Sequence, residues 1–400
     1  MKDQRLKDKD KDRVLGCMVG GAVGDALGYA IEFARWPEIE RKYGSRGITR
    51  YELDKQGLAL ISDDTQMSLF TAAGILLGMT RGYMRGIMGR IDTYCHWTYL
   101  DWLHTQLWTK RKDNERVDSW LMDIPQLYSS RAPGHTCLSA LAALERKETP
   151  VNDSCGCGGV MRTAPLALLD FLHSYANGDI LYCDMCAAEA ARLTHKHPLG
   201  FIPSALLNHI LTRILSGTAD GEDTQARLAS LVENAAEEIG SIQSAPDDNK
   251  TYKELWPKHI ATQQELIKKA IDLAGKDTPD HTAIESIGGG WTGHEALAIA
   301  VYSAVKHCNS FEDAIISSVN HSGDSDSTGA VCGNIIGCLL GRTSIPAHFT
   351  GNLELLDIIE EIATDLYTGC IISDHDPVNT PEKQRWAQKY CHFRYPHTHP

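Results

Sequence analysis

The chain has 400 residues, 42% apolar and 23% charged, the composition of an ordinary globular protein and not of a disordered tail or a fibrous repeat. No run approaches the ~20 consecutive apolar residues that span a bilayer. The formal net charge of −13 argues against a broad nucleic-acid or anionic-membrane surface, although backbone N–H groups, helix N-termini or bound cations still let an acidic protein hold an anionic ligand.

Met1 to Arg13 alternates Lys and Arg with Asp and has no apolar centre, so it reads as a charged N-terminal extension (1–13) and not as a secretion signal. The twelve cysteines are therefore expected to be reduced thiols of a cytoplasmic protein. From residue 14 to residue 373 helical spacing dominates: Met67/Phe70/Gly74/Leu77, Leu138/Leu141/Leu144, Leu266/Ala270/Leu273 and Leu355/Ile358/Ile362. Two-residue alternation between hairpin turns is nearly absent. The predicted fold is all-α, a compact orthogonal multi-helix bundle. Within it, residues 217–283 are more polar and are expected to form a helical insertion, with Ser241–Lys250 as its loop. The segment 374–400, rich in Pro and His, reads as an irregular tail in which His397 and His399 are solvated.

Two stretches share an unusual row. Gly16, Gly20, Gly24 and Gly28 recur every four residues, and so do Gly329, Gly333, Gly337 and Gly341. Such spacing puts each row on one helix face. An internal Gly costs about 1 kcal/mol of helix propensity relative to Ala, so the rows are expected to serve close backbone approach, with the two helices crossing at the centre of the fold.

Acidic clusters stand at two helix starts. Ser62-Asp63-Asp64-Thr65 opens a helix that is apolar nearly all round. His321-Ser322-Gly323-Asp324-Ser325-Asp326-Ser327-Thr328 opens the second glycine-rowed helix. N-capping accounts for one side chain at each; two Asp and several hydroxyls at the second exceed that need. If the clusters meet, like charges ~4 Å apart repel by about 4 kcal/mol at an effective dielectric of 20, and such a set calls for cations. Hard oxygen ligands favour Mg²⁺, Mn²⁺ or Ca²⁺. An EF-hand fails, because its twelfth position is Ile335. A zinc set drawn from Cys155, Cys157, Cys183, Cys186, His195 and His197 lacks a usual knuckle spacing. Gly21 to Gly24 follows no strand, which rules out a dinucleotide fingerprint. The loop Asp153 to Arg162 reads either as a phosphate cradle or as a tight turn. Gly288-Gly289-Gly290-Trp291 either presents an aromatic face to a base or caps a helix with a core Trp.

Taken together, GCMVGGAVGDALGYAIE (16–32), SDDTQM (62–67), RAPGHTCLSAL (131–141), CGCGGVMRTAPLAL (155–168), LTHKHP (193–198), GGGWTGHEALAIAVYSA (288–304) and GDSDSTGAVCGNIIG (323–337) resemble the ADP-ribosylglycohydrolases, which include dinitrogenase reductase-activating glycohydrolase and the ADP-ribosylhydrolases. The resemblance implies an all-α fold around a central binuclear metal site holding two Mg²⁺, with Mn²⁺ as the alternative. It carries the metal ligands onto Ser62, Asp63, Asp64, Asp324, Asp326 and Ser327. Ser154, Gly156, Cys157 and Gly158 match the loop that holds the ADP-ribose phosphates, His195 a ligand-facing His, and Trp291 a position lining the nucleoside pocket. Asp64, Glu32 and, by a looser spacing match, Asp101 are the implied catalytic carboxylates, with Glu32 as a mobile group over the metals. SDDT and GCGGVMR look more like the arginine-directed branch than the serine-directed one, which tends to have Asn where Cys157 stands. The implied activity is Mg²⁺-dependent removal of mono-ADP-ribose from modified protein side chains, most of all ADP-ribosyl-arginine, with free ADP-ribose as product and a monomer as the expected state. Rival expectations are a catalytically silent ADP-ribose-binding or structural relative and a two-metal phosphohydrolase.

Overall fold

The computed structural model describes residues 4–108, 117–169, 179–241, 250–373 and 380–391. Among these residues there are seventeen α-helices and five 3-10 turns. Among the described residues no strand forms, and the two bridges are isolated, Ala59 with Leu353 and Gly156 with Thr292. No helix among the described residues is long and apolar enough to cross a membrane.

The centre of the fold is a seam between the helices Gln4–Tyr29 and Ser325–Leu340. They run antiparallel. A Cβ on Gly16 would overlap the Gly337 carbonyl, one on Gly20 the Gly333 carbonyl, and one on Gly24 the Gly329 carbonyl; the reverse substitutions would meet Gly16, Gly20 and Gly24 in turn. The expected crossing of the two glycine rows is therefore present, with one change at each end. Gly28 lies against the Ser325 backbone and not against a glycine. Gly341 stands beyond the helix as its C-cap, with φ 85°. Backbone-to-backbone packing of this kind explains why helix propensity is given up at so many places on one face.

The helix Asp63–Arg85 is buried from Asp63 to Thr80 except at Ser68. It packs on Ile91–Gln106, where the Thr98 hydroxyl donates to the Phe70 carbonyl at 2.7 Å. An element this thoroughly enclosed holds its first turn, and hence the acidic pair, in a fixed place.

Three segments set apart in the sequence carry helices. The charged segment before residue 14 does not stand apart: the helix Gln4–Tyr29 runs through it without a break, and buried Arg13 pairs with Asp220 and donates to the Ile214 carbonyl. The polar stretch 217–283 contributes the helices Thr224–Glu238 and Lys250–Ala274, which bury Leu228, Leu231, Val232, Ile260, Ile267 and Ala270; most of its predicted loop, 242–249, lies outside the described residues. The tail is not irregular throughout. Thr380 caps a helix, Pro381–Tyr390, which buries Trp386 and Tyr390; the Trp386 indole donates to the Thr80 hydroxyl at 3.0 Å. A Thr-Pro start and two aromatics four residues apart were the sequence signals for it. His397 and His399 lie outside the described residues.

Candidate active site

Each acidic cluster is placed by a helix start. At Asp63–Arg85 the Ser62 hydroxyl accepts the Asp64 N–H at 3.2 Å. At Ser325–Leu340 the Asp324 carboxylate accepts the Ser327 N–H at 3.2 Å. Capping therefore occurs at both ends, but it engages only part of each cluster. Asp63 is held from a third direction, its carboxylate accepting the Gly134 N–H at 3.2 Å and its N–H donating to the Arg131 carbonyl at 3.1 Å.

Asp25, fully buried on the first glycine helix, fastens this start to the seam. Its carboxylate accepts the Ser62 N–H at 3.1 Å, the Thr65 N–H at 3.1 Å and the Thr65 hydroxyl. The neighbouring Gly24 touches Gly329, one turn into the helix that carries Asp324 and Asp326. One rigid crossing thus sets the position of both acidic starts. The sequence offered only the Gly-Asp step at 24–25 as a signal for this role.

The structure brings the clusters together. Asp63, Asp64, Asp324 and Asp326 are all buried and face one another, with Asp25 and half-buried Glu32 beside them. Burial, then repulsion from Asp324, Asp63 and Asp25, pushes the Glu32 carboxyl up to about 8. Burial pushes Asp63 up to about 8 as well, the Gly134 N–H opposing it and Asp25 and Asp324 adding to it. Asp64 is held well above the usual carboxylate range by burial and by Asp63, Asp25 and Asp324. Asp326 is held there by burial and by Asp64, Asp324 and Glu32. Burial raises Asp25 to about 6 against its donors from Thr65 and Ser62.

The donor set fits divalent cations. The carboxylates and the hydroxyls of Ser62 and Ser327 are hard oxygens. Two of the buried oxygens, Asp64 Oδ2 and Glu32 Oε2, have no hydrogen-bond partner, a costly state for a buried polar atom. Among the described residues no three His, Cys, Asp or Glu side chains stand as a finished cage around one point. The fit therefore rests on the chemistry of the donors and on the two unpartnered oxygens.

Asp101 is fully buried in the helix Ile91–Gln106, and its Oδ2 accepts the Asp118 and Ser119 N–H groups at 2.8 Å each. That carboxylate oxygen fastens the segment entering the turn Trp120–Asp123.

The glycine-rich loop adjoins the acidic group at Asp324. The Ser154 hydroxyl accepts the Gly156 N–H at 3.3 Å, and the Cys157 N–H donates to the Trp291 carbonyl at 3.2 Å. The Ser154 N–H donates to Asn152 Oδ1 at 3.2 Å, so three of the N–H groups expected to face phosphate already have partners. Gly156 and Gly158 both lie against the His195 ring. His195 is buried, with Nδ1 2.9 Å from the Thr194 hydroxyl, and burial with the nearby Arg162 charge lowers its pKa to about 3, so the imidazole is neutral. Arg162, fully buried, donates to the Gly158 carbonyl and the Thr194 hydroxyl at 2.7 Å each and supports the turn Cys157–Arg162 from behind.

The segment 288–293 laces this loop to the acidic one. Cys155 accepts the Gly293 N–H at 2.8 Å, and Gly289 accepts the Asp324 N–H at 2.8 Å. Gly290 has φ 78°, and a Cβ there would press on Thr328 and Asp324. Trp291 is 43% exposed and stacks on Phe33, so it is not a core Trp. A further link was not legible in the sequence: the Cys157 thiol donates to Asp324 Oδ2 at 2.8 Å, joining the glycine-rich loop directly to the carboxylates.

The chain as a whole is similar to several known proteins. The chain is 22% identical over 401 residues to the "ADP-ribosylhydrolase ARH1" of Dictyostelium discoideum, covering 89% of this chain and 94% of that one. It is 23% identical over 351 residues to the "ADP-ribosyl-[dinitrogen reductase] glycohydrolase" of Rhodospirillum rubrum, covering 86% and 91%. A solved structure titled "ADP-ribosylglycohydrolase-related protein complex" shares the fold with a TM-score of 0.58 at 23% identity, over 90% of this chain and 99% of that one. The model of the ADP-ribosylglycohydrolase family matches residues 6–375, and the chain belongs to that family.

Proposed function

We propose that the protein is a Mg²⁺-dependent hydrolase that removes mono-ADP-ribose from modified protein side chains, with ADP-ribosyl-arginine as its substrate class. The observation that carries this is the meeting of two buried acidic helix starts, Asp63/Asp64 and Asp324/Asp326, on helices tied through the glycine seam and Asp25. Relatives named as ADP-ribosylhydrolase and as a glycohydrolase of ADP-ribosyl-dinitrogen reductase support the reaction class.

Ser62, Asp63, Asp64, Asp324, Asp326 and Ser327 would hold two Mg²⁺, or Mn²⁺. Bound there, the ions supply a template for hydroxyl groups and lower the pKa of water. The chain's own groups do the remaining work. The loop Ser154, Gly156, Cys157 and Gly158, backed by neutral His195, takes the phosphates, and Trp291 takes the nucleoside. In this reading the carboxylates stabilise the positive charge that develops in an oxocarbenium-like transition state. Asp64 and Glu32 stand within the acidic group beside Asp63, Asp25 and Asp324 and are the carboxylates that accept a proton there; Asp101 Oδ2 is committed to the Asp118 and Ser119 N–H groups. A guanidine leaves in its protonated form, so arginine as acceptor asks for no strong general acid. The enzyme acts as a cytoplasmic monomer on mono-ADP-ribosylated proteins. Incubation with an ADP-ribosyl-arginine protein and Mg²⁺ tests this. Free ADP-ribose is the expected product; AMP or orthophosphate would indicate a phosphohydrolase, and binding without turnover a silent relative.

A further inference from the structure

The chain leaves the first glycine helix through a tight turn. The Ile31 and Glu32 N–H groups both donate to the Gly28 carbonyl at 2.9 Å, and Ala34 donates to Ile31 at 2.9 Å. Beyond it, the Trp36 N–H donates to the Ser322 hydroxyl at 2.8 Å, tying the exit to the acidic loop. This turn sends the Glu32 carboxylate toward Asp324, Asp63 and Asp25 and the next residue, Phe33, outward. Phe33 has φ 69°, a left-handed backbone that a bulky side chain rarely adopts. It is 68% exposed, so core packing does not account for an aromatic residue there.

One face of the Phe33 ring is covered by Trp291, with ring centroids 5.5 Å apart and planes inclined by 21°. A third plane between the rings would need about 7 Å, two stacking distances of ~3.5 Å. The face of Phe33 open to a ligand is therefore the one turned away from Trp291. Trp291 is tied by its carbonyl to Cys157 on the glycine-rich loop, whereas Phe33 follows Glu32 on the carboxylate side of the pair. Planar cations stack on aromatic faces, and a guanidinium pairs well with a carboxylate. The chain's net charge of −13 favours a cationic visitor.

We propose that Phe33 is a specificity-determining residue: its open ring face stacks on the guanidinium of the modified arginine beside Glu32. The inference rests on the arginine-directed function proposed above and names the surface that would select that acceptor.

The test compares the full-length wild type with Phe33→Ala and Phe33→Tyr. Steady-state kinetics use an ADP-ribosyl-arginine peptide in Mg²⁺, and calorimetry follows binding of free ADP-ribose, which carries no guanidinium. Phe33→Ala is expected to raise KM for the peptide about two- to fivefold, the size of an exposed cation–π contact, while the ADP-ribose Kd stays unchanged; Phe33→Tyr restores the wild-type KM. An unchanged KM in a folded Phe33→Ala protein would overturn the platform alone. An ADP-ribose Kd that weakens in step with KM would overturn it in favour of nucleoside stacking. A folded wild-type enzyme that binds ADP-ribose but is inert on the arginine peptide would overturn the arginine function, and the platform with it.

Discussion

Gly24→Ala is the smallest change that loads the central seam. In a free helix it would stabilise by about 1 kcal/mol through propensity. Here the added methyl would overlap the Gly329 carbonyl, carbon and Cα. These are backbone atoms of an equally buried helix, so no side chain can swing aside. Overpacking of a tight interior costs typically ~1–3 kcal/mol, and the rigid neighbour puts Gly24 at the upper end. The steric cost therefore exceeds the propensity gain, and a net loss of about 1–2 kcal/mol is expected. Gly82→Ala serves as the reference: it lies inside the helix Asp63–Arg85, and its Cβ would meet the Met88 side chain first, at 3.2 Å, with the nearest backbone atom at 3.7 Å. Urea unfolding of both variants in Mg²⁺-free buffer measures the two effects side by side. Gly82→Ala should lie near the wild type or above it, and Gly24→Ala clearly below. A Gly24→Ala protein as stable as the wild type would refute the seam as the element that fixes the fold's centre.

Asp64→Ala and Asp326→Ala should each abolish ADP-ribose release while the circular dichroism spectrum stays native; near-wild-type turnover in saturating Mg²⁺ by either folded variant would contradict their placement in the site. The metal-free protein should lose stability as pH rises from about 4 to about 8, because Asp63 and Glu32 are pushed up to about 8 and fold best protonated, so their contribution is complete at acid pH and gone above their folded values. Mg²⁺ should raise the melting temperature more at pH 8 than at pH 5; an equal effect at both would argue against cations among these carboxylates. Cys157→Ser, which keeps a donor for Asp324, should retain Mg²⁺ affinity in calorimetry, whereas Cys157→Val should weaken it by about 1 kcal/mol. Glu32→Gln should lower turnover; unchanged turnover with unchanged Mg²⁺ dependence would make Glu32 a bystander.

Much of the architecture was legible because glycine rows and apolar spacing are periodic, and a four-residue period defines a face without knowledge of the partner. That the two glycine faces meet followed from that period; the antiparallel match of Gly16, Gly20 and Gly24 with Gly337, Gly333 and Gly329 came only from the structure. The acidic starts were legible because the second carried more carboxylate and hydroxyl than a cap requires, which drew the first into the same reading. What stayed hidden depends on contacts between residues far apart in the chain. Nothing near Cys157 foretells a thiol hydrogen bond to a residue 167 positions later. Asp25 sits inside a motif that already had an explanation in its glycines, and its tie to Ser62 and Thr65 appears only once two helices are side by side. Asp101 was selected by spacing alone, and spacing could not show that its Oδ2 meets the backbone of residues 118 and 119. The helix Pro381–Tyr390 was obscured by the Pro- and His-rich composition around it, although its Thr-Pro start was present.

The central claim is that the joined acidic starts serve cleavage of an N-glycosidic bond. Its most direct measurement is product identification by chromatography and mass spectrometry after incubation with an arginine-mono-ADP-ribosylated protein, with Mg²⁺ and with chelator. In Mg²⁺ only, intact ADP-ribose should be released and the arginine side chain of the protein restored to its unmodified mass. AMP or orthophosphate as the product, or equal release in chelator, would contradict the account.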